Sequence, residues 1–245
     1  MNILVLGGIA ESKALAGALV RAGHTVVYSI AGLVRQPDLP CEIHSGGFSR
    51  EGRDGILGLA DYCREKAIAL LIDSTHPYAE GISAHAVAAA HHAGISCWRF
   101  NRPGWDRKNH PNWEDYLHWQ DLLPKIEPYH RPFFTIGRSA LAFADQRARH
   151  QIWTVRSAKP FADVDGVTQI HAIGPFSLEE ELALMRKHRI DALISKNSGC
   201  TRVSAKLEAS RQLGIPVFVQ VRPGLVPAAR SFDSIDSLMD AIPTV

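Results

Sequence analysis

At 245 residues, the chain is long enough for one large domain or two small ones. Lys and Arg total 27 against 25 Asp and Glu, a formal net charge of +2. That balance excludes a polybasic nucleic-acid arm and an acidic tail, and 46% hydrophobic with 21% charged residues excludes a disordered chain.

Apolar runs and amphipathic stretches alternate along the chain. Ile3–Leu6 reads as a buried strand that runs into Gly7-Gly8. A helix follows over 11–22, with Ala14, Leu15, Ala18 and Leu19 on one face and Gly23 as its stop. Strands are predicted at 25–30 and 42–44, with Gly32 and Pro37 between them and Gly46-Gly47 after. A helix over 51–66, a strand over 69–73, a helix over 82–93 and a strand over 96–100 complete the first half. Strand-helix-strand order with helices of this length points to parallel βαβ units.

Residues 101–131 break the pattern with four prolines and three tryptophans, and read as a crossover holding one short helix at 114–123. Strands then return at 133–136, 152–155, 168–171, 192–195 and 217–220. Helices are expected at 139–147, 178–188, 203–213 and 235–242. The stretch LIDSTHPYAEGISAHAVAAAHHAGISCWRFNRPG begins at Leu71, and LISKNSGCTRVSAKLEASRQLGIPVFVQVRPG begins at Leu193. Both read strand, polar loop, Ser-Ala helix, Gly-Ile, strand and Arg-Pro-Gly, the pattern of a duplication. The expected fold is α/β: two similar Rossmann-like lobes, each a parallel sheet of about five strands flanked by helices, with a ligand cleft between them. The expected boundaries are 1–104, a crossover at 105–130, and 131–245, with the last helix returning to the first lobe.

No apolar run approaches the ~18 residues of a membrane span. MNILVLGG lacks the basic start of a signal peptide, so a cytoplasmic protein is expected. Cys41, Cys63, Cys97 and Cys200 form no CxxC pair, which fits a reduced protein without a metal site. His85, His91 and His92 share one helix without a ligand-spaced Cys or carboxylate. The YxxxK at Tyr62 and Lys66 has no upstream Ser in place and is set aside. No GxSxG or Walker A motif occurs, and the tryptophans do not interleave with a basic stripe, so no nucleic-acid partner is expected.

Four places carry possible chemistry. At Gly7, Gly8, Ile9, Ala10 and Glu11, glycines and a helix start suit a phosphate, although the full GxGxxG is absent and Glu11 adds negative charge. After the second strand, Ser29, Ala31, Gly32 and Arg35 stand where an acid would select a free ribose 2′-hydroxyl. With no acid and an Arg, that loop favours NADPH. At Asp73, Ser74, Thr75, His76, Pro77 and Tyr78, polar groups crowd a strand's carboxyl end, and His76 suits proton transfer near neutral pH. In the second half, Lys196, Asn197 and Ser198 together with Arg138, Arg202 and Lys206 form a cationic edge fit for a polycarboxylate ligand. A plain tight turn, a helix cap and ordinary solvated charge are the structural alternatives for these places.

Taken together, the chain resembles the precorrin-6A reductase family of cobalamin biosynthesis. The likeness covers nearly its whole length. It rests on ILVLGGIAES, SIAG, GGF at Gly46–Phe48, DSTHPYA with the following IS, Arg102-Pro103-Gly104-Trp105, IGR at Ile136–Arg138, KNSG at Lys196–Gly199, AKLEASR and the VRP at Val221–Pro223. Ile9 stands where the family usually has Thr, Ser49-Arg50 follow GGF in place of Gly-Gly, and Cys200 replaces a Gly. The resemblance implies NADPH-dependent reduction of one macrocycle double bond of precorrin-6A to give precorrin-6B, with NADH as the other possible cofactor. It implies a cofactor site at Gly7, Gly8, Ile9, Ala10, Glu11, Ser29, Ala31, Gly32, Arg35, Gly46, Gly47, Phe48, Asp73, Thr75 and Pro77. His76 and Tyr78 are the candidate catalytic residues, and Arg138, Lys196, Asn197, Ser198, Lys206 and Arg222 the candidate substrate-binding residues. The alternatives are the cobalt-containing substrate of the anaerobic route, a non-catalytic dinucleotide sensor, and a cofactor-free tetrapyrrole isomerase. A monomer or weak homodimer is expected, with no membrane partner.

Overall fold

The computed structural model describes residues 1–32, 38–49, 54–201 and 204–243. In chain order the elements begin with β1 (Asn2–Leu6), α1 (Ala10–Arg21), β2 (Thr25–Ile30), β3 (Glu42–Ser45), α2 (Gly55–Glu65), β4 (Leu70–Asp73), α3 (Glu80–Ala93) and β5 (Ser96–Phe100). They continue with β6 (Trp113–Tyr116), α4 (Trp119–Ile126), β7 (Pro132–Phe134), 3₁₀ turns over Gly137–Gln146, β8 (Trp153–Ser157) and β9 (Val167–His171). The last are α5 (Leu178–Lys187), β10 (Ala192–Lys196), α6 (Ala205–Leu213), β11 (Val217–Gln220), β12 (Arg230–Phe232) and α7 (Ile235–Ala241).

The chain divides into two compact units, Met1–Pro103 with Pro223–Val245, and Gly104–Arg222. The first holds a six-stranded parallel sheet in the order β12-β5-β4-β1-β2-β3, and the second one in the order β6-β11-β10-β7-β8-β9. Each is the doubly wound order in which two βαβ halves diverge from adjacent central strands.

These boundaries differ from the sequence expectation, which gave each lobe about five strands and ended the first at residue 104. The sixth strand of each sheet is supplied by the segment that leaves the other unit. Residues 105–130, expected as a crossover with a helix at 114–123, instead form strand β6 followed by α4. Residues 223–245 belong to the first unit. Neither sixth strand carries an apolar run. In β6, Trp113 and Tyr116 are buried while Glu114 and Asp115 are exposed, and β12 is RSF. Both are edge strands, which need only one covered face.

Central strands are apolar on both faces, as parallel strands under helices must be; Ile3, Leu4, Val5 and Leu6 are all buried. In the first unit, Leu4, Leu6, Val27 and Leu71 meet Leu59, Cys63 and Ala86 of α2 and α3 on one side of the sheet. On the other side, Ile3, Val5, Tyr28 and Ile72 meet Leu15 and Leu19 of α1 and Leu238 of α7. In the second unit, Phe134, Trp153 and Phe218 cluster with Leu122 and Ile126, and Phe133, Leu193 and Val217 with Met185 and Leu207. Asp54 caps α2 by accepting from the amides of Ile56 and Leu57, and Ser177 with Glu180 forms a capping box on α5. No helix among the described residues is long and apolar enough to cross a membrane.

Candidate functional site

The first unit has a cavity of about 500 Å³ at the carboxyl ends of β1, β2, β3 and β4. In a doubly wound sheet this is the edge where ligands bind. Its wall includes Gly7 and Gly8 after β1, Ser29, Ala31 and Gly32 at the end of β2, Gly46, Gly47 and Phe48 after β3, and Thr75 and His76 after β4. Ten of the residues singled out in the sequence thus come together. Ser49, Gly55, Ile82 and His85 also line the cavity without having been named as site residues, as does Ala79, which closes the DSTHPYA motif. Ile82 and His85 lie three apart on α3, so they share one helical face. Only the placement of α3 beside the cavity reveals their role.

Glycine supplies much of the space. A Cβ on Gly32, Gly46 or Gly47 would meet nothing within 4 Å, and one on Gly8 would come no closer than 3.8 Å to the backbone of Thr75 and His76. At Gly7 the requirement is the reverse: a Cβ would lie 2.1 Å from Cζ of the buried Tyr28. Among the described residues no carboxylate lines the cavity. Arg35, read in the sequence as the 2′-phosphate partner, lies outside the described residues, as does Arg202.

Five expected cofactor residues, Ile9, Ala10, Glu11, Asp73 and Pro77, contribute nothing to this wall. Ile9 is buried at the N-cap of α1 and offers no side-chain cap. Ala10 and Glu11 open the helix, and the Glu11 carboxylate pairs with Arg102 rather than capping loop amides. Asp73 is fully buried: its Oδ2 accepts from Arg99 Nε at 2.9 Å, and its Oδ1 accepts from Thr75 Oγ1 at 2.7 Å and Thr75 N at 3.2 Å. Both of its oxygens thus bond to Arg99 and to the loop itself. Arg99 in turn donates to Val226 O at 2.6 Å. Pro77 is buried. His76 Nδ1 accepts from Tyr78 N at 3.4 Å, which leaves Nε2 to carry the proton in the neutral ring, and the two rings lie 5.6 Å apart.

Of the motifs set aside, His85 lines the cavity, whereas the YxxxK residues do not. Tyr62 is buried against His44 and Phe48, while Lys66 makes a surface pair with Glu42. Among the described residues no cluster of His, Cys, Asp and Glu suits a metal. The cysteines are unpaired, and burial pushes the Cys63 and Cys97 thiols up to about 12.

In the second unit the Lys196–Cys200 loop is knitted to the Arg-Pro-Gly segments. Asn197 Oδ1 accepts from Trp105 N at 2.7 Å, Asn197 O accepts from Arg222 Nε at 2.8 Å, and the Trp105 indole donates to Cys200 O at 3.1 Å. Arg138 is exposed, Lys196, Asn197 and Arg222 are half-buried, and Ser198 is buried. Lys206 corrects the sequence picture of a cation at the surface. It is 7% exposed, its Nζ donates to Thr135 Oγ1 at 3.1 Å, and it lies 5.4 Å from the Trp105 ring. Burial, with the Arg156 charge beside it, lowers its pKa to about 8. Arg156 itself is held by a bidentate buried pair with Glu181, at 2.8 and 3.0 Å.

A model of the family described as "Precorrin-6x reductase CbiJ/CobK" matches residues 2–243. "Precorrin-6A reductase" of Rhodococcus erythropolis is 41% identical over 243 residues, covering 96% of this chain and 94% of that one. "Cobalt-precorrin-6A reductase" of Methanothermobacter thermautotrophicus is 26% identical over 255 residues, with 99% and 83% covered. A solved structure of CobK precorrin-6A reductase matches with a TM-score of 0.86 at 30% identity, covering 98% of this chain and 95% of that chain.

Proposed function

The chain belongs to the precorrin-6x reductase CbiJ/CobK family, and from that premise we propose that it reduces precorrin-6A to precorrin-6B in cobalamin biosynthesis, with NADPH bound in the cavity of the first unit. The observation that carries the cofactor reading is that cavity. It opens at the strand ends, its glycines leave room for a dinucleotide, and among the described residues it presents no acid at the end of β2. An acid there would accept a ribose 2′-hydroxyl and repel a 2′-phosphate, so its absence supports NADPH over NADH. The higher identity to the precorrin-6A enzyme than to its cobalt counterpart supports the metal-free substrate.

When bound, the nicotinamide would supply the hydride for one ring carbon, leaving NADP⁺, while a proton would add to the neighbouring carbon. The protein's part is to position, to exclude water and to place a proton. Gly7 and Gly8 let the backbone approach the pyrophosphate, and the α1 N-terminus adds favourable partial charge. Gly46, Gly47 and Phe48 form the wall after β3. Thr75, His76 and Tyr78, shaped by Asp73 and Arg99, border the reacting end, with His76 and Tyr78 as the candidate proton donors. Arg138 and Lys196, at the carboxyl ends of second-unit strands, are assigned to the substrate's carboxylate arms, with Asn197, Ser198 and Arg222 shaping that loop. Lys206 is assigned to support Thr135 from behind.

The test is anaerobic incubation of the protein with metal-free and cobalt-containing precorrin-6A, each with NADPH and with NADH, followed at the nicotinamide absorbance band. The reading predicts turnover with the metal-free substrate and a higher kcat/KM for NADPH than for NADH. Equal use of both nucleotides would remove the NADPH assignment, and oxidation with neither substrate would remove the enzyme assignment.

A further inference from the structure

The turn between β1 and α1 lacks the usual glycine fingerprint, and Ile9 at the N-cap brings no polar atom to it. The structure fills that gap from two other positions. Ser12, in the first turn of α1 and fully buried, reaches back: its Oγ donates to Ile9 O at 2.6 Å and accepts from the amides of Gly8 and Ile9, each at 3.3 Å. Tyr28, fully buried on β2, brings its hydroxyl to 2.8 Å from Ser12 Oγ. A serine hydroxyl has one proton. With that proton committed to Ile9 O, Tyr28 is the donor to Ser12. The same Tyr28 ring fills the space beside Gly7 that a Cβ would need. One aromatic side chain therefore fixes Gly7 by contact and Ser12 by hydrogen bond.

We propose that the Ser12–Tyr28 hydroxyl pair is a positioning device for the dinucleotide, holding the Gly7–Ile9 turn in its ligand-receiving shape in place of the missing fingerprint residues. The inference rests on the nucleotide reading above. With the Gly8 and Ile9 amides turned inward to Ser12, the amides of Ala10 and Glu11, which receive no cap from residue 9, are left to meet the pyrophosphate. Burial raises the Tyr28 pKa, so its hydroxyl stays protonated and able to donate near neutral pH.

The test pairs Tyr28→Phe, which removes one hydroxyl and keeps the ring beside Gly7, with Ser12→Ala. NADPH affinity is measured by fluorescence titration, and amide hydrogen exchange at Gly8 and Ile9 is followed in the cofactor-free protein. The expected result is about a tenfold rise in the NADPH Kd for each variant, the equivalent of one hydrogen bond. Gly8 and Ile9 should exchange slowly in the wild type and faster in the variants, and kcat at saturating NADPH should stay within about twofold for Tyr28→Phe. A merely structural role would lower the melting temperature and leave Kd unmoved, and that result overturns the proposal. The exchange measurement needs no variant: unprotected Gly8 and Ile9 amides in the wild type overturn it too. Wild-type protein that binds no NADPH brings down the nucleotide reading and this inference together. Wild-type binding with unchanged variants brings down only this one.

Discussion

Lys206 shows how far a single residue's meaning depends on burial. In the sequence it is one of several cations near strand ends. In the structure its ammonium lies inside the second unit, held by Thr135, and faces Arg156, Glu181 and Cys200. Burial disfavours the charged form, so the folded-state pKa falls from 10.5 to about 8. Between those values the unfolded chain binds more protons than the native one, so stability rises with pH across that window and is flat below it. The full shift corresponds to roughly 3 kcal/mol. Urea unfolding at about pH 7.5 and about pH 9.5 checks this: wild-type stability should rise by about 2 kcal/mol relative to Lys206→Met over that interval. Equal pH slopes in the two proteins would place the ammonium in water. Asp73 teaches the same lesson. Its place in a polar loop suggested ligand contact, and only the geometry shows both its oxygens committed to Arg99 and Thr75.

At the scale of elements, what could be read from sequence was whatever has a strong local signal. β1, β2, β4, β5, β10 and β11 announce themselves as short apolar runs, and α3 and α6 end where Gly94 and Gly214 adopt left-handed backbone at φ +71° and +68°. The edge strands β6 and β12 were not legible. WEDY reads as a helix start, and RSF is too short and polar to signal anything; each becomes a strand only because a sheet edge is waiting for it. The expected helix at 139–147 forms as 3₁₀ turns over Gly137–Gln146. The glycines lining the cavity were legible because glycine marks close backbone approach, whereas Ile82 and His85 look like any other turn of an alanine-rich helix. α7 shows what the last element contributes. Leu238 is fully buried against Leu15 and Leu19 of α1. Leu238→Ala should cost roughly 2–5 kcal/mol, read as a lower urea midpoint with an unchanged slope. A change under about 0.5 kcal/mol would mean that α7 does not complete this core.

At the scale of the whole molecule, each half of the sequence holds five strands of one sheet, β1 to β5 and β7 to β11, and the segment leaving each unit provides the sixth strand of the other. The repeated strand, polar loop, helix and Arg-Pro-Gly pattern pointed to two similar lobes but not to this sharing of strands, because it leaves the local sequence of each repeat unaltered. In the first unit, β1, β2, β3 and β4 bring Gly7, Ser29, Gly46 and Thr75 around one cavity. We propose that this cavity holds a nicotinamide dinucleotide whose hydride passes directly to the macrocycle. It is tested most directly by anaerobic reaction of metal-free precorrin-6A with NADPH bearing deuterium at the transferring position of nicotinamide carbon 4. The account predicts a product carrying one deuterium on a ring carbon, from one face of the nicotinamide only. A product formed without deuterium, in light water, would contradict it.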